Sequence, residues 1–452
     1  MELRLLSHAA LWIDSGDTRL LFDPWLQGTC YDGAWALVPD RPGLIAALER
    51  PDVVAFSHAH PDHFHLPSLV ALRDRFGPGL PLVVPQQAVD IMAGVLRQLG
   101  FTSVRELALE QTHHLGPSLS VSFHACRADD SAQIIRAGER IIVNANDCRL
   151  EGWVLAHMRR LAPAPDFYFG QFSFADGYPF CFEGLSAEEM ATAVRAPLEQ
   201  FLQQAAAFAP RWAVPAASFV RFAQPDNQAL NRLALTLDDV PREAPPAVTV
   251  LYPGDGWCDA RGFLHEPANS DAYKRACRAA REPEAGGPGV EVPPADAVRA
   301  AADARLRDMC AVLPGWLRRR MGVLGFHMHD LDLAVVVRWA DGQWAWQPGE
   351  PDVPHYRVSA SHFRRVCQAD WGWTTLHIGA RFQARRWRQS DALSMFMPVS
   401  SLYAMRYFHQ TWQHYLTPRV LQVLWARRFE IGDLAWRTAR GAAWSDAPAP
   451  RL

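Results

Sequence analysis

The sequence predicts an α/β fold over residues 1–281, followed after a linker at 282–296 by an α+β region over 297–452. Two observations predict the first part. Short apolar runs near the N-terminus are broken by turn residues, and helical and strand-like periods alternate from residue 53 onward. The third observation concerns the C-terminal part, where 11 of the 17 Trp fall and residues 282–296 are rich in Pro, Gly and Glu. A chain of 452 residues, 49% hydrophobic and 21% charged, can bury the cores of two or more such domains.

Taken in order, Glu2–Leu6, Ala10–Ile13 and Arg19–Phe22 read as strands of a meander, turning at Ser15, Gly16 and Asp17. Asp23, Pro24 and Trp25 end the third strand. The apolar run Val53-Val54-Ala55-Phe56 then leads directly into Ser57-His58-Ala59-His60-Pro61-Asp62-His63-Phe64-His65. Imidazole and carboxylate are the ligands of borderline divalent metals. The H-x-H-x-D-H spacing lets one loop, through His58, His60, Asp62 and His63, serve two adjacent ions. Further on, Leu66–Phe76 and Gln86–Leu99 have helical periodicity, whereas Leu80–Val84, Ser103–Leu107, Leu119–Phe123, Ala132–Ile135 and Arg140–Val143 read as strands. Ala187–Phe208 reads as a long helix. In the C-terminal part Leu333–Trp339, Trp344–Trp346 and Trp371–Ile378 read as aromatic strands, with helical stretches at Ser401–Tyr415 and Pro418–Phe429.

The histidine loop at a strand end resembles the metallo-β-lactamase fold superfamily. That resemblance implies an αββα sandwich with a dinuclear centre at the sheet edge, His58 and His60 on one metal and Asp62 and His63 on the other. It also implies that Asp147, following the strand Arg140–Val143, is the metal-bridging carboxylate, the alternative being a cap of the helix that begins near Leu150, and assigns Asp62 and Asp147 as catalytic. Two departures stand out. The expected G-H-T turn is replaced by His124-Ala125-Cys126-Arg127-Ala128-Asp129-Asp130-Ser131, which leaves His124, Asp129 and Asp130 as replacements, with Asp130 preferred. The final metal histidine is replaced by Ala217, leaving either an open position or a ligand from elsewhere such as Glu183 or Asp176. His8 is either an early ligand or an ordinary core histidine.

The turn at Asp23-Pro24-Trp25, the histidine loop, Asn144–Asp147, Tyr178–Cys181 and Pro215–Phe222 together resemble the metallo-β-lactamase-like part of sialic-acid nucleotide hydroxylases. The C-x-H and C-x-x-H pairs of their Rieske domain do not occur here. The resemblance implies a non-heme di-iron oxygenase of a small organic substrate, with two divalent transition metals, iron favoured and zinc or manganese as alternatives, and an external electron donor. A zinc- or manganese-dependent hydrolase of an ester, lactone or phosphate is the alternative.

Charge and cysteine usage exclude several classes. The formal charge is −3, but residues 297–452 carry 21 Arg and no Lys against 12 acids, or +9, which leaves −12 for the rest. Docking of the basic part on the acidic part explains this more simply than capture of an anion. The arginines accompany no nucleic-acid motif. The eight cysteines form no C-x-x-C pair and are expected to be reduced. No segment reads as a membrane span or leader, so a cytoplasmic protein is the expectation. The aromatic C-terminal region either covers the metal cleft or serves as a homodimerisation module.

Overall fold

The computed structural model describes residues 1–126, 130–242, 248–282 and 291–439. Two sheets face each other. The first has eight strands in the order Gly262–Leu264, Gly256–Cys258, Glu2–Leu5, Leu11–Asp14, Arg19–Phe22, Val53–Ala55, Leu82–Pro85 and Val104–Leu107. The second has six, in the order Trp212–Ala216, Phe167–Gln171, Arg140–Asn146, Ser131–Ala137, Leu119–Ala125 and Thr112–His114.

Side-chain alternation along the strands creates the layers. Leu20 and Phe22 point into the core between the sheets, whereas Leu21 points to the outer helical face. Val53 and Ala55 likewise face the inner core and Val54 the outer one. Phe22 stacks on Phe123 of the opposite sheet at 6.4 Å. Outside the first sheet lie helices Leu66–Phe76 and Met92–Gln98, which bury Leu69, Leu72, Met92 and Leu96. Outside the second lies helix Ala187–Phe208, whose Phe201 and Phe208 pack on Tyr168. This is the expected αββα sandwich.

The C-terminal part adds a five-stranded sheet in the order Gln343–Pro348, Leu333–Arg338, Val323–Met328, His355–Val358 and Gln383–Arg385, with helices Ala295–Val312, Ala360–Gln368, Gly372–Ile378 and Ala392–Ala404. Its core is continuous with the loops of the sandwich, because Trp25, Tyr31, Trp35, Phe174 and Phe222 pack in the same cluster as Trp339, Tyr356 and Trp373. The expected linker falls largely on 283–290, outside the described residues. Arginines of the C-terminal part meet acids of the sandwich at Arg365–Asp32 (2.7 Å), Arg381–Asp226 (3.0 Å) and Arg388–Glu189 (2.9 Å).

Three local expectations fail. Trp371–Ile378 is a helix over Gly372–Ile378, not a strand. A side chain on Gly372 would lie 1.9 Å from the carbonyl of Val366, so the absent Cβ is what lets this helix turn against helix Ala360–Gln368. The helix expected over Gln86–Leu99 starts only at Met92. The helix expected from Ser401 instead spans Ala392–Ala404, and short 3-10 turns come after it.

Candidate metal centre

The histidine loop leaves the buried strand Val53–Ala55 at the sheet edge and is anchored by a carboxylate behind it. Asp23 is fully buried and accepts from the Ser57 backbone N–H (2.7 Å), from Ser57 Oγ (2.6 Å) and from His63 Nδ1 (2.8 Å). A carboxylate can only accept, so His63 Nδ1 carries a proton and Nε2 is the nitrogen turned toward the centre. Ser57 Oγ, donating to Asp23, accepts in turn from His58 Nδ1 at 2.9 Å. His58 is thereby held in the same tautomer. Such outer hydrogen bonds orient metal-binding imidazoles.

The freed atoms converge. His58 Nε2 and His60 Nδ1 face each other at 2.8 Å, and Asp130 Oδ1 lies 3.8 Å and 3.9 Å from them. On the other side, Asp62 Oδ2 lies 3.3 Å from His63 Nε2 and 3.2 Å from His8 Nε2. Between the two groups, Asp147 places Oδ2 3.8 Å from His58 Nε2 and Oδ1 3.6 Å from His63 Nε2. A bridging carboxylate needs this placement. Tyr31 donates to Asp62 Oδ1 at 2.5 Å, leaving Oδ2 for the centre.

Buried polar atoms are normally satisfied. Here His8 Nδ1 and Nε2, His63 Nε2 and Asp147 Oδ1 are buried without a hydrogen bond. Imidazole and carboxylate atoms that converge without hydrogen-bond partners of their own are what a pair of cations would satisfy, so this donor set fits two metals. Burial lowers the pKa of His58, helped by the nearby His63 imidazole, and burial likewise lowers that of His60. Burial would also depress His63, but the carboxylates of Asp62, Asp147 and Asp23 outweigh it and hold its imidazole well above the ordinary value. For Asp62, burial is outweighed by His63 and His8, and its carboxyl is held well below the carboxylate range. For Asp147 the same opposition, here against His58 and His63, also lowers it.

Asp130 is followed by Ser131, whose Oγ donates to the Ser57 carbonyl at 2.5 Å and ties the start of this strand to the histidine loop. Asn146, with φ 45° in the left-handed region that Asn tolerates, turns the chain so that Asp147 leaves the strand toward the loop. Its amide donates to the Ser131 carbonyl at 3.1 Å.

Of the sequence candidates, His58, His60, Asp62, His63, Asp130 and Asp147 lie together. Asp129 and Arg127 fall outside the described residues. His124 is turned away, pairing with Glu110 at 2.9 Å and Ser122 at 2.8 Å. Glu183 pairs instead with Arg385 at 3.2 Å, and neither it nor Asp176 belongs to a ligand group among the described residues. Asp255 makes a turn, accepting from Tyr252 and Glu266 backbone N–H groups. His65 caps helix Leu66–Phe76, and burial pushes its pKa down to about 4. Tyr31 has no sequence signal, and the turn at Asp23, singled out by resemblance, gives no sign in sequence that its carboxylate anchors Ser57 and His63.

Beside the centre opens a cavity of about 760 Å³. Tyr31, Ala59, Pro61 and Phe64 line one side, and His362, Arg365, Trp371 and Arg381 of the C-terminal part line the other. Its basic groups are matched by Asp32, which pairs with Arg365 at 2.7 Å and with His362 at 3.3 Å. No helix among the described residues is long and apolar enough to cross a membrane.

Residues 18–171 match the family model described as a beta-lactamase superfamily domain. The chain is 23% identical to the cytidine monophosphate-N-acetylneuraminic acid hydroxylase of Mus musculus over 462 residues, covering 92% of this chain and 73% of that protein. It is 37% identical to the Sus scrofa hydroxylase over only 79 residues, 17% of this chain and 18% of the other. Among solved structures it is similar to a mutant of CmlA beta-hydroxylase, with 23% identity, a TM-score of 0.37 and coverage of 48% of this chain and 45% of that one. It is also similar to an isothiocyanate hydrolase from Delia radicum gut bacteria, with 16% identity, a TM-score of 0.40 and coverage of 57% and 98%. The hydroxylase relatives, the fold and the histidine–aspartate clusters together support a metal-dependent enzyme. The stretch that carries the histidine loop thus matches a beta-lactamase superfamily domain, and its two facing sheets with outer helices have the metallo-β-lactamase fold.

Proposed function

We propose that this protein is a non-heme di-iron oxygenase that hydroxylates a small organic substrate held in the cavity beside the centre. The observation that carries the reading is the donor set. Three carboxylates, Asp62, Asp130 and Asp147, stand among the imidazoles of His58, His60 and His63. Carboxylate-rich surroundings are hard and suit iron or manganese better than zinc. The hydroxylase named among the relatives supports the same chemistry.

His58, His60 and Asp130 would hold one ion, His63, Asp62 and His8 the other, and Asp147 would span both. When bound, reduced iron supplies the activation of dioxygen, with electrons from an external donor. The chain's own residues do the rest. Asp23 keeps the His63 proton on Nδ1, Ser57 does the same for His58, and Tyr31 fixes Asp62 by donating to its outer oxygen. Phe64 and Trp371 give the cavity apolar walls that limit water near the centre, while Arg365 and Arg381 offer donors to an oxygen-bearing substrate.

One observation favours a second reading. His8 supplies a fourth imidazole where the sequence lacks the final metal histidine, and four imidazoles suit zinc and hydrolysis of an ester, lactone or phosphate. Metal analysis of protein expressed in iron-supplemented medium separates the two. The oxygenase reading expects iron at about two equivalents per chain, whereas zinc retained in preference to supplied iron would move the assignment to the hydrolase.

A further inference from the structure

A second set of orphaned imidazoles lies in the five-stranded sheet, on strands that contribute nothing to the histidine loop. His327 sits on Val323–Met328 and His355 on the parallel neighbour His355–Val358. Their rings approach with centroids 6.1 Å apart and planes at 75°. The close approach depends on Gly325, where a Cβ would lie 2.9 Å from both His355 Cβ and Pro351 Cγ. Both histidines are buried, at 6% and 0% exposure.

The hydrogen bonding of His355 decides what its other nitrogen can be. Nδ1 lies 2.8 Å from the Val353 carbonyl, which can only accept, so the proton is on Nδ1. Nε2 therefore presents a lone pair, and it faces Glu350 Oε1 at 3.3 Å without a hydrogen bond. A lone pair aimed at a carboxylate is repulsive unless a cation sits between them. His327 adds to this, since neither of its buried ring nitrogens has a hydrogen-bond partner. One ligand atom each from His327, Glu350 and His355 falls within 4.8 Å of the others. Arg385 Nε, 3.5 Å from the same Glu350 oxygen, also makes no hydrogen bond.

The cluster formed by Glu110, His124 and His157 shows what a satisfied arrangement looks like. Glu110 Oε2 meets His124 Nδ1 at 2.9 Å and His157 Nε2 at 2.8 Å, and His124 Nε2 meets Ser122 Oγ at 2.8 Å. Hydrogen bonds account for that group without an ion. They do not account for His327 and His355.

We infer that His327, His355 and Glu350 form a third divalent-metal site, of the zinc class, separate from the paired centre. Two imidazoles and a carboxylate are a donor set that zinc takes readily, with the remaining position open toward solvent beside Asp332, whose Oδ1 lies 3.9 Å from His327 Nε2. An ion there would tie residues 349–354, the connection that carries Glu350 and Val353, to the central strand of the sheet. The role is structural.

The test is zinc stoichiometry of the full chain, measured by elemental analysis after equilibration with Zn²⁺ and removal of free metal. To separate this site from the paired centre, the H58A/H60A/H63A variant, which removes the loop imidazoles of both ions, serves as background. It should keep one equivalent of zinc, and adding Glu350→Gln or His327→Ala should remove it. Zn²⁺ should also raise the melting temperature of H58A/H60A/H63A, and Glu350→Gln should abolish the rise. Glu350 is exposed, so that substitution leaves the buried sheet intact even where His327→Ala unfolds it. A background variant that holds no zinc, or one whose remaining zinc and thermal shift survive Glu350→Gln, would overturn the site.

Discussion

Asp23→Asn is the most informative single perturbation, because Asp23 touches no metal and yet sets the tautomer of a ligand. The carboxylate accepts from three donors, the Ser57 N–H at Oδ1 and both Ser57 Oγ and His63 Nδ1 at Oδ2. An amide of the same shape can accept at only one end. If its oxygen faces His63, its NH₂ meets the Ser57 backbone N–H, a buried donor that cannot change and that costs about 1–3 kcal/mol to leave unpaired. If its NH₂ faces His63, the hydroxyl rotates to accept and the imidazole moves its proton to Nε2. The second outcome costs less and is expected. Nε2, the atom aimed at Asp62 and Asp147, then carries a proton that a metal must displace. Losing an outer hydrogen bond of this kind weakens metal binding by about 10- to 100-fold, or about 1.4–2.7 kcal/mol. Cobalt(II) titration monitored by visible absorption should show the site of His63 weakened by that factor and the site of His58 and His60 within about threefold of wild type. ¹⁵N correlation spectra of the apo variant should report His63 protonated on Nε2. Two cobalt sites of unchanged affinity together with an unchanged His63 tautomer would refute the assignment of Asp23 as the group that orients this ligand.

His60→Ala should lower the metal content of the paired centre by one equivalent or more, and His8→Ala should weaken one ion selectively; equal loss of both on His8→Ala would mean that His8 supports the loop and not one ion. Asp147→Ala should abolish activity while the apo variant keeps the far-UV circular dichroism of wild type; activity above about a tenth of wild type would remove Asp147 as the bridging ligand. Burial pushes the pKa of His377 down to about 3 from an ordinary 6.5. A base depressed in the folded state stays neutral there while the unfolded chain takes up a proton, so stability is full above pH 6.5 and falls as pH drops toward 3. At pH 4.5 the loss amounts to roughly 3 kcal/mol, and His377→Gln should flatten the pH dependence of urea unfolding by that amount. An unchanged pH slope would show that His377 does not stay neutral in the fold.

The legibility of each feature in the sequence depends on how local its signal is. The strand Arg19–Phe22 and the helix Ala187–Phe208 are readable with their ends, because alternation and helical period are written in neighbouring residues. The histidine loop is readable for the same reason: four ligand-type side chains stand within six residues. Asp147 and Asp130 are placed by resemblance, and the hydrogen bonds of Asn146 and Ser131 supply the physical cause of their position. The parts that cannot be read are assembled from a distance. His8 reaches Asp62 from a turn 54 residues earlier, and Tyr31 does so from a turn 31 residues earlier. The segment Gly372–Ile378 reads as a strand because its Trp and Thr residues favour strands, and the tight approach to Val366 makes it a helix instead.

The central claim, oxygen chemistry at a paired iron centre, is tested most directly by oxygen uptake. Iron-loaded protein, chemically reduced and mixed with air-saturated buffer in an oxygen electrode, should consume dioxygen in proportion to its iron and develop a visible charge-transfer band. Zinc-loaded protein treated identically should do neither. Iron protein inert to oxygen, alongside zinc protein that cleaves ester or lactone substrates anaerobically, would contradict the account.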